Sequence, residues 1–215
     1  MEIDRNEALR YLGYRGQKPD SRIEEMLDAC MDEISEISKE SYLYQIYDID
    51  RSREGVLLKG TTLVLEGKDI EAHLSQAVKC AVLAVTLGLE VDRRIAFYSR
   101  TDITKGLIFD ACAAAAVEAL CDKAQGEVAA EAGDIGLEIT ARYSPGYGDF
   151  DIGVQRDILK LLKAYERLGL SVNESSIMIP RKSVTAVIGL QKEKCSVGKE
   201  KCKSCGNRYC VYRKD

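Results

Sequence analysis

Apolar residues recur at helical spacing from Ser21 to Ser38, at Ile23, Met26, Leu27, Cys30, Ile34 and Ile37. That period predicts an amphipathic helix, opened by Pro19 and Asp20. Residues 41–50, Ser-Tyr-Leu-Tyr-Gln-Ile-Tyr-Asp-Ile-Asp, form a run rich in aromatics and isoleucine that reads as extended. Val56 to Leu65 reads as a second strand broken around Gly60. Further helices are expected over about 70–87, 91–98 and 105–130. Leu137 to Tyr143 reads as a strand running into a Pro-Gly turn. Val154, Ile158, Leu161, Leu162, Tyr165 and Leu168 mark one face of a helix that stops at Gly169. Two short strands, Ser176–Ile179 and Ser183–Leu190, follow and are joined through Pro180-Arg181.

Strands and helices mix without regular βαβ alternation, which predicts an α+β fold. The expected architecture is a twisted, mainly antiparallel sheet with packed helices, a helical N-terminal part and a Cys-rich C-terminal tail. The organisation expected is a helical and strand region over 1–100, a core over 101–191 and a basic tail over 192–215.

Composition narrows the class. The chain has 215 residues, 46% hydrophobic and 31% charged, which is enough for a real core and describes a soluble globular protein. The N-terminus, Met-Glu-Ile-Asp-Arg-Asn-Glu, is charged and offers no signal-peptide apolar segment. The longest apolar stretch, near Ala81 to Leu89, is too short to span a bilayer. A cytoplasmic protein with no membrane partner is expected. In that setting the eight cysteines are read as thiols or metal ligands instead of disulfides.

The cysteines fall into two groups. Cys30, Cys80, Cys112 and Cys121 sit singly in apolar surroundings and are expected to be small core residues. Cys195, Cys202, Cys205 and Cys210 crowd into the tail, where Lys192–Asp215 carries a net charge of +5 against −4 for the whole chain. Four thiolates with one C-x2-C pair suit tetrahedral zinc or an iron–sulfur cluster, and basic neighbours such as Lys201, Lys203 and Arg208 favour the thiolate form. Zinc is the simpler assignment; free thiols are the alternative.

The richest chemistry lies at Arg142-Tyr-Ser-Pro145-Gly146-Tyr147. Arg142 offers a fork for a carboxylate. Pro145 and Gly146 set a tight turn, and Tyr147 an aromatic face for a ring or a cation. An ordinary Pro-Gly turn with surface Arg and Tyr would read the same way. On the 105–130 helix, Asp110, Glu118 and Asp122 share a stripe beside the small residues Ala111 to Ala116. That stripe is either a solvated face or a carboxylate wall for a cationic ligand. His73, the only histidine, receives no role.

Two blocks taken together, Arg142-x-x-Pro145-Gly146-Tyr147 and Leu170-Ser-Val-Asn-Glu174-Ser175-x-x-Met178-x-Pro180-x-x-Ser183-Val184, resemble the activation (reactivation) domain of cobalamin-dependent methionine synthase. The resemblance covers about residues 105–190, and the chain is similar to freestanding activation-domain-like proteins that act on a separate corrinoid protein. It implies binding of S-adenosylmethionine and support for reductive methylation of a partner's cobalamin. Arg142 falls on the family's arginine for the ligand carboxylate region. Gly146 and Tyr147 line the same pocket, and Glu118 falls on a helix glutamate near the ligand. Glu174, Ser175, Met178 and Pro180 match as structural or docking residues. The chain departs from the family in two respects: no equivalent of an early acidic ligand residue is located, and a Tyr pair after the last strand gives way to the Cys-rich tail.

The partners implied are a cobalamin-binding methionine synthase or other corrinoid protein and an electron donor protein. A non-catalytic docking or regulatory module for a corrinoid protein is the alternative function. A nucleic-acid binder using the tail as a zinc knuckle is disfavoured by the acidic body and the short tail, so no nucleic-acid partner is expected.

Overall fold

The computed structural model describes residues 2–52 and 54–192. Elements in chain order begin with α1 (Arg5–Tyr11) and α2 (Ser21–Ile37), followed by strands β1 (Ser41–Asp50), β2 (Val56–Leu58) and β3 (Val64–Leu65). Then come α3 (Lys68–His73), β4 (Ala77–Thr86), α4 (Leu89–Thr101) and the long α5 (Ile103–Asp134). The remainder is β5 (Glu138–Ile139), a 3-10 turn at Ile152–Val154, α6 (Gln155–Leu161), α7 (Ala164–Leu168), β6 (Ser171–Val172), β7 (Met178–Ile179) and β8 (Ser183–Gln191). The architecture is α+β, as expected. The main sheet runs β3-β2-β1-β4-β8-β5 with every pair antiparallel, and β6 and β7 form a separate ribbon.

The sheet is covered on both faces. Alternation along β1 sends Tyr42, Tyr44 and Ile46 toward the layer of α1, α2, α4 and α5, and Leu43, Tyr47 and Ile49 toward α3, α6 and α7. β4 divides in the same way, Ala81, Leu83 and Val85 against Cys80, Val82 and Ala84. The sheet therefore separates two apolar layers, one built on α5 and one on Phe150, Ile158 and Leu162. Cys30, Cys80, Cys112 and Cys121 are all buried free thiols in these layers, as the apolar surroundings predict.

Burial on both sides explains the main error in the sequence-based elements. The 70–87 stretch is not one helix: α3 ends at His73, and Ala77–Thr86 is a central strand. A strand buried on both faces has no polar face to alternate with, so it presents a continuous apolar run that periodicity cannot tell from a buried helix. The β-branched residues Val78, Val82, Val85 and Thr86 are the signal that favours the strand.

The helix expected over 154–168 is also interrupted. Lys163 adopts φ 52°, a left-handed conformation that costs a non-glycine residue about 1 kcal/mol, and α6 gives way to α7 there. Burial of Leu162 beside Ile158 holds the break. Gly169, with φ 67°, closes α7. Helix α1 is an addition to the expected elements; Asp4 caps it, its side chain accepting from the backbone N–H of Asn6 and Glu7. Strand β5 is shorter than the expected 137–143. After Ile139, Thr140 N–H still donates to Gly189 O, and Tyr143 rejoins the sheet through a bridge to Val187.

Candidate functional site

The segment from Thr140 to Phe150 lies at the β5 edge of the sheet and is fastened from both layers. The Oγ1 of buried Thr140 accepts the Gly189 N–H at 2.9 Å. His73 Nε2 lies 2.9 Å from both Ala141 O and Thr140 Oγ1, and its ring stacks at 5.1 Å on Tyr143. His73, given no role from the sequence, thus positions the start of the loop. Tyr143 turns toward α3 and Phe150, and Arg142, its neighbour in an extended stretch, points the other way, toward α5.

The turn itself is made by backbone contacts: Gly146 N–H donates to Phe150 O at 2.8 Å, and Phe150 N–H to Tyr147 O at 3.0 Å. Gly146 has φ 91° and Gly148 φ 55°. A methyl group at Gly148 would overlap the Asp69 carboxylate and stand 2.9 Å from the Tyr143 hydroxyl. This position needs glycine for space as well as for conformation. Asp149 then caps α3, and Tyr147 is left 66% exposed at the loop's tip.

Arg142 meets a row of polar groups one and two turns apart on α5. Its Nη2 lies 3.1 Å from Glu118 Oε2, and its Nη1 2.7 Å from Asp122 Oδ1 and 2.9 Å from Gln125 Oε1. Burial works against the charge of the guanidinium, but the bond to Asp122 and the surrounding negative groups outweigh it and raise the pKa above its ordinary value. The third member of the predicted stripe goes elsewhere: Asp110 pairs with Lys182 at 3.1 Å.

These groups wall a cleft of about 840 Å³ between α1, α5 and the loop. Helix α5 contributes Ala115, Glu118, Ala119 and Asp122, and the loop contributes Arg142 and Tyr147. The small residues let α1 lie close, so Asp4, Glu7, Arg10 and Tyr11 form the opposite wall. Glu7 holds Arg10, whose guanidinium lies 4.6 Å from the Tyr11 ring centroid. Burial and the Glu118 charge across the cleft both raise the pKa of the Tyr11 phenol. Arg10 Nη1 is buried with no hydrogen-bond partner, so this wall retains a donor that protein groups leave unsatisfied.

The structure therefore brings Arg142, Glu118 and Tyr147 to one cleft. Gly146 lies in the turn behind them, its α-carbon facing Ile152. Sequence reasoning missed the α1 residues, although Asp4-x-x-Glu7 ahead of Ala8 and Leu9 has the form of a helix start. A seven-residue helix is too short for periodicity to register. Asp4 and Glu7 also bring acids from the start of the chain to the cleft, where the sequence alone locates none. Glu174 and Ser175 lie in the turn between β6 and β7, where Asn173 Oδ1 accepts the N–H of Ser175 and Ile177. The predicted ligands Cys195, Cys202, Cys205 and Cys210 lie outside the described residues. Among the described residues no group of His, Cys, Asp and Glu is arranged to hold a metal ion, and no helix is long and apolar enough to cross a membrane.

A curled antiparallel sheet between two helical layers, with a charged cleft between its edge loop and a long helix, defines an α+β fold. Among solved structures the chain is similar to the MetH reactivation domain bound to AdoHcy, with a TM-score of 0.67 and 17% identity over 90% of this chain and 75% of that one. The chain has the fold of that domain. No protein-family model matches the sequence, and no curated protein does.

Proposed function

We propose that the cleft binds S-adenosylmethionine, and that the protein presents it to the cobalamin of a separate methionine synthase or related corrinoid methyltransferase for reductive methylation. The observation that carries this reading is the convergence of Arg142 and Glu118 with Tyr147 at the mouth of one cleft, on the fold of a domain bound to AdoHcy.

The donor set fits the ligand. Arg142 matches its carboxylate, and Glu118 and the α1 acids match its ammonium and sulfonium charges. Tyr147 and Tyr11 offer ring faces for the adenine. The cleft volume, about 840 Å³, falls within the range of small-molecule sites. S-adenosylmethionine would supply the methyl group, and the partner's cobalamin would accept it together with an electron from a donor protein. This chain's residues would bind and orient, and the site has no need of a general acid or base.

The test is calorimetric titration of S-adenosylmethionine into the wild type and Arg142→Ala. Saturable binding that is lost or greatly weakened in the variant is expected. No binding by a folded wild type would defeat the reading and leave the alternative, a docking module for a corrinoid protein.

A further inference from the structure

The contacts of Arg142 are unequal, and the inequality has a functional consequence. Nη1 carries two N–H bonds, and two oxygens already lie against it, Gln125 Oε1 at 2.9 Å and Asp122 Oδ1 at 2.7 Å. Nη2 has Glu118 Oε2 at 3.1 Å. A carboxylate arriving at Nη1 therefore meets the Asp122 carboxylate already paired with that nitrogen. Gln125 is neutral and Glu118 takes one of the two N–H groups of Nη2, whereas the Asp122 side chain is 73% exposed against 19% for Arg142. Released from the guanidinium, the Asp122 carboxylate is hydrated at once, and an ion pair so exposed contributes little to stability. Asp122 is thus the partner most cheaply displaced. It is also the same functional group, at the same nitrogen, as the incoming ligand would present.

We propose that Asp122 is an internal competitor for Arg142. In the free protein it keeps the guanidinium oriented and neutralised; on binding, the carboxylate of the amino-acid portion of S-adenosylmethionine takes its place. This inference rests on the cleft being the S-adenosylmethionine site. Competition weakens the affinity for any carboxylate-bearing ligand and favours release of the product, which carries the same carboxylate. The opposed role for Asp122, as part of an attractive wall for the sulfonium and ammonium, predicts an effect of opposite sign.

The experiment is calorimetric titration of S-adenosylmethionine, S-adenosylhomocysteine and decarboxylated S-adenosylmethionine into wild type and Asp122→Asn, with thermal melts to confirm folding. Both carboxylate-bearing ligands should bind about two- to five-fold tighter to Asp122→Asn, the worth of an exposed ion pair. Decarboxylated S-adenosylmethionine should gain nothing. Unchanged or weaker binding of the two carboxylate ligands, or an equal gain for the decarboxylated one, overturns the proposal. Absence of S-adenosylmethionine binding by folded wild type sinks the functional reading and this inference together. Binding that Arg142→Ala abolishes and Asp122→Asn leaves untouched sinks this inference alone.

Discussion

Asp149 and Asp69, 80 residues apart, clasp each other through the backbone: the Asp149 carboxylate accepts the Lys68 and Asp69 N–H groups at 2.8 and 3.0 Å, and Asp69 Oδ2 accepts the Asp149 N–H at 3.3 Å. Helix α3 has no local side-chain cap, since Gly67 stands at its N-cap, and the loop supplies one. The same contact anchors the end of the loop that carries Arg142 and Tyr147. Those backbone donors hold the Asp149 carboxyl below its usual 3.8. A lowered folded-state pKa adds stability that is present above the unfolded value and lost as pH falls through the folded one. Asp149→Asn should therefore lower the melting temperature at pH 7, and its deficit relative to wild type should shrink below about pH 4. Melts from pH 7 to pH 3 decide it; a deficit independent of pH would mean that the charge of the cap is immaterial.

The two loop glycines should respond differently to alanine. At Gly146 the nearest atom to an added methyl is Ile152 Cδ1 at 3.5 Å, so only the backbone conformation at φ 91° is penalised. At Gly148 the methyl meets both the Asp69 carboxylate and the Tyr143 hydroxyl, and the Asp69–Asp149 contact must open. Gly146→Ala should cost about 1 kcal/mol, and Gly148→Ala more, roughly 2–3 kcal/mol. Denaturant unfolding of the two variants measures the order, and the reverse order would contradict the loop geometry.

Residues whose environment is one-sided were legible from their period in the sequence, and those with two-sided or distant environments were not. Ile23 to Ile37 shows a helical period because α2 has one buried face and one wet one, whereas Tyr42 to Ile46, packed on both faces, reads as extended only through its aromatic and β-branched composition. Val82 and Val85 sit in a strand covered on both sides, so the pattern that distinguishes strand from helix is erased. In the site, Arg142, Gly146 and Tyr147 are adjacent in the chain, and the loop stands out by composition. Glu118 and Asp122 stood together on the stripe along α5, to which the resemblance added a role for Glu118, and both line the cleft. Asp110 shares that spacing but turns to Lys182, because a 32-residue helix passes several neighbours along its length. The wall from Asp4 to Tyr11 depends on how α1 packs across Ala115 and Ala119, a tertiary contact with no local trace.

The four core thiols should be unreactive in the native protein. Burial pushes Cys30 up to about 11 and Cys80, Cys112 and Cys121 up to about 12, so almost none is thiolate at neutral pH. Peptide mapping after alkylation at pH 7.5 should find these four protected in the folded chain and modified together after denaturation. Rapid labelling of Cys80 would be incompatible with a β4 strand that lies between β1 and β8 and is covered on both faces.

Glu118 should distinguish S-adenosylmethionine from S-adenosylhomocysteine. The two ligands share a carboxylate, an ammonium and an adenosyl group, and differ by the methyl group and the positive charge on sulfur. If Glu118 faces the sulfonium, removing its charge costs the first ligand more than the second. A unit charge at about 4 Å in a water-accessible site is worth roughly 1 kcal/mol, or about five-fold in affinity. Glu118→Gln should thus weaken S-adenosylmethionine about five-fold beyond any loss for S-adenosylhomocysteine. Glu118 also pairs with Arg142, so a second outcome has meaning: equal losses for both ligands would show that Glu118 works by holding the arginine. Combining Glu118→Gln with Arg142→Ala separates the two roles. A sulfonium contact survives loss of the arginine, so the five-fold preference should still be removed in the Arg142→Ala background wherever residual binding is measurable. A purely positioning glutamate has nothing left to position there, and its replacement would then have no further effect.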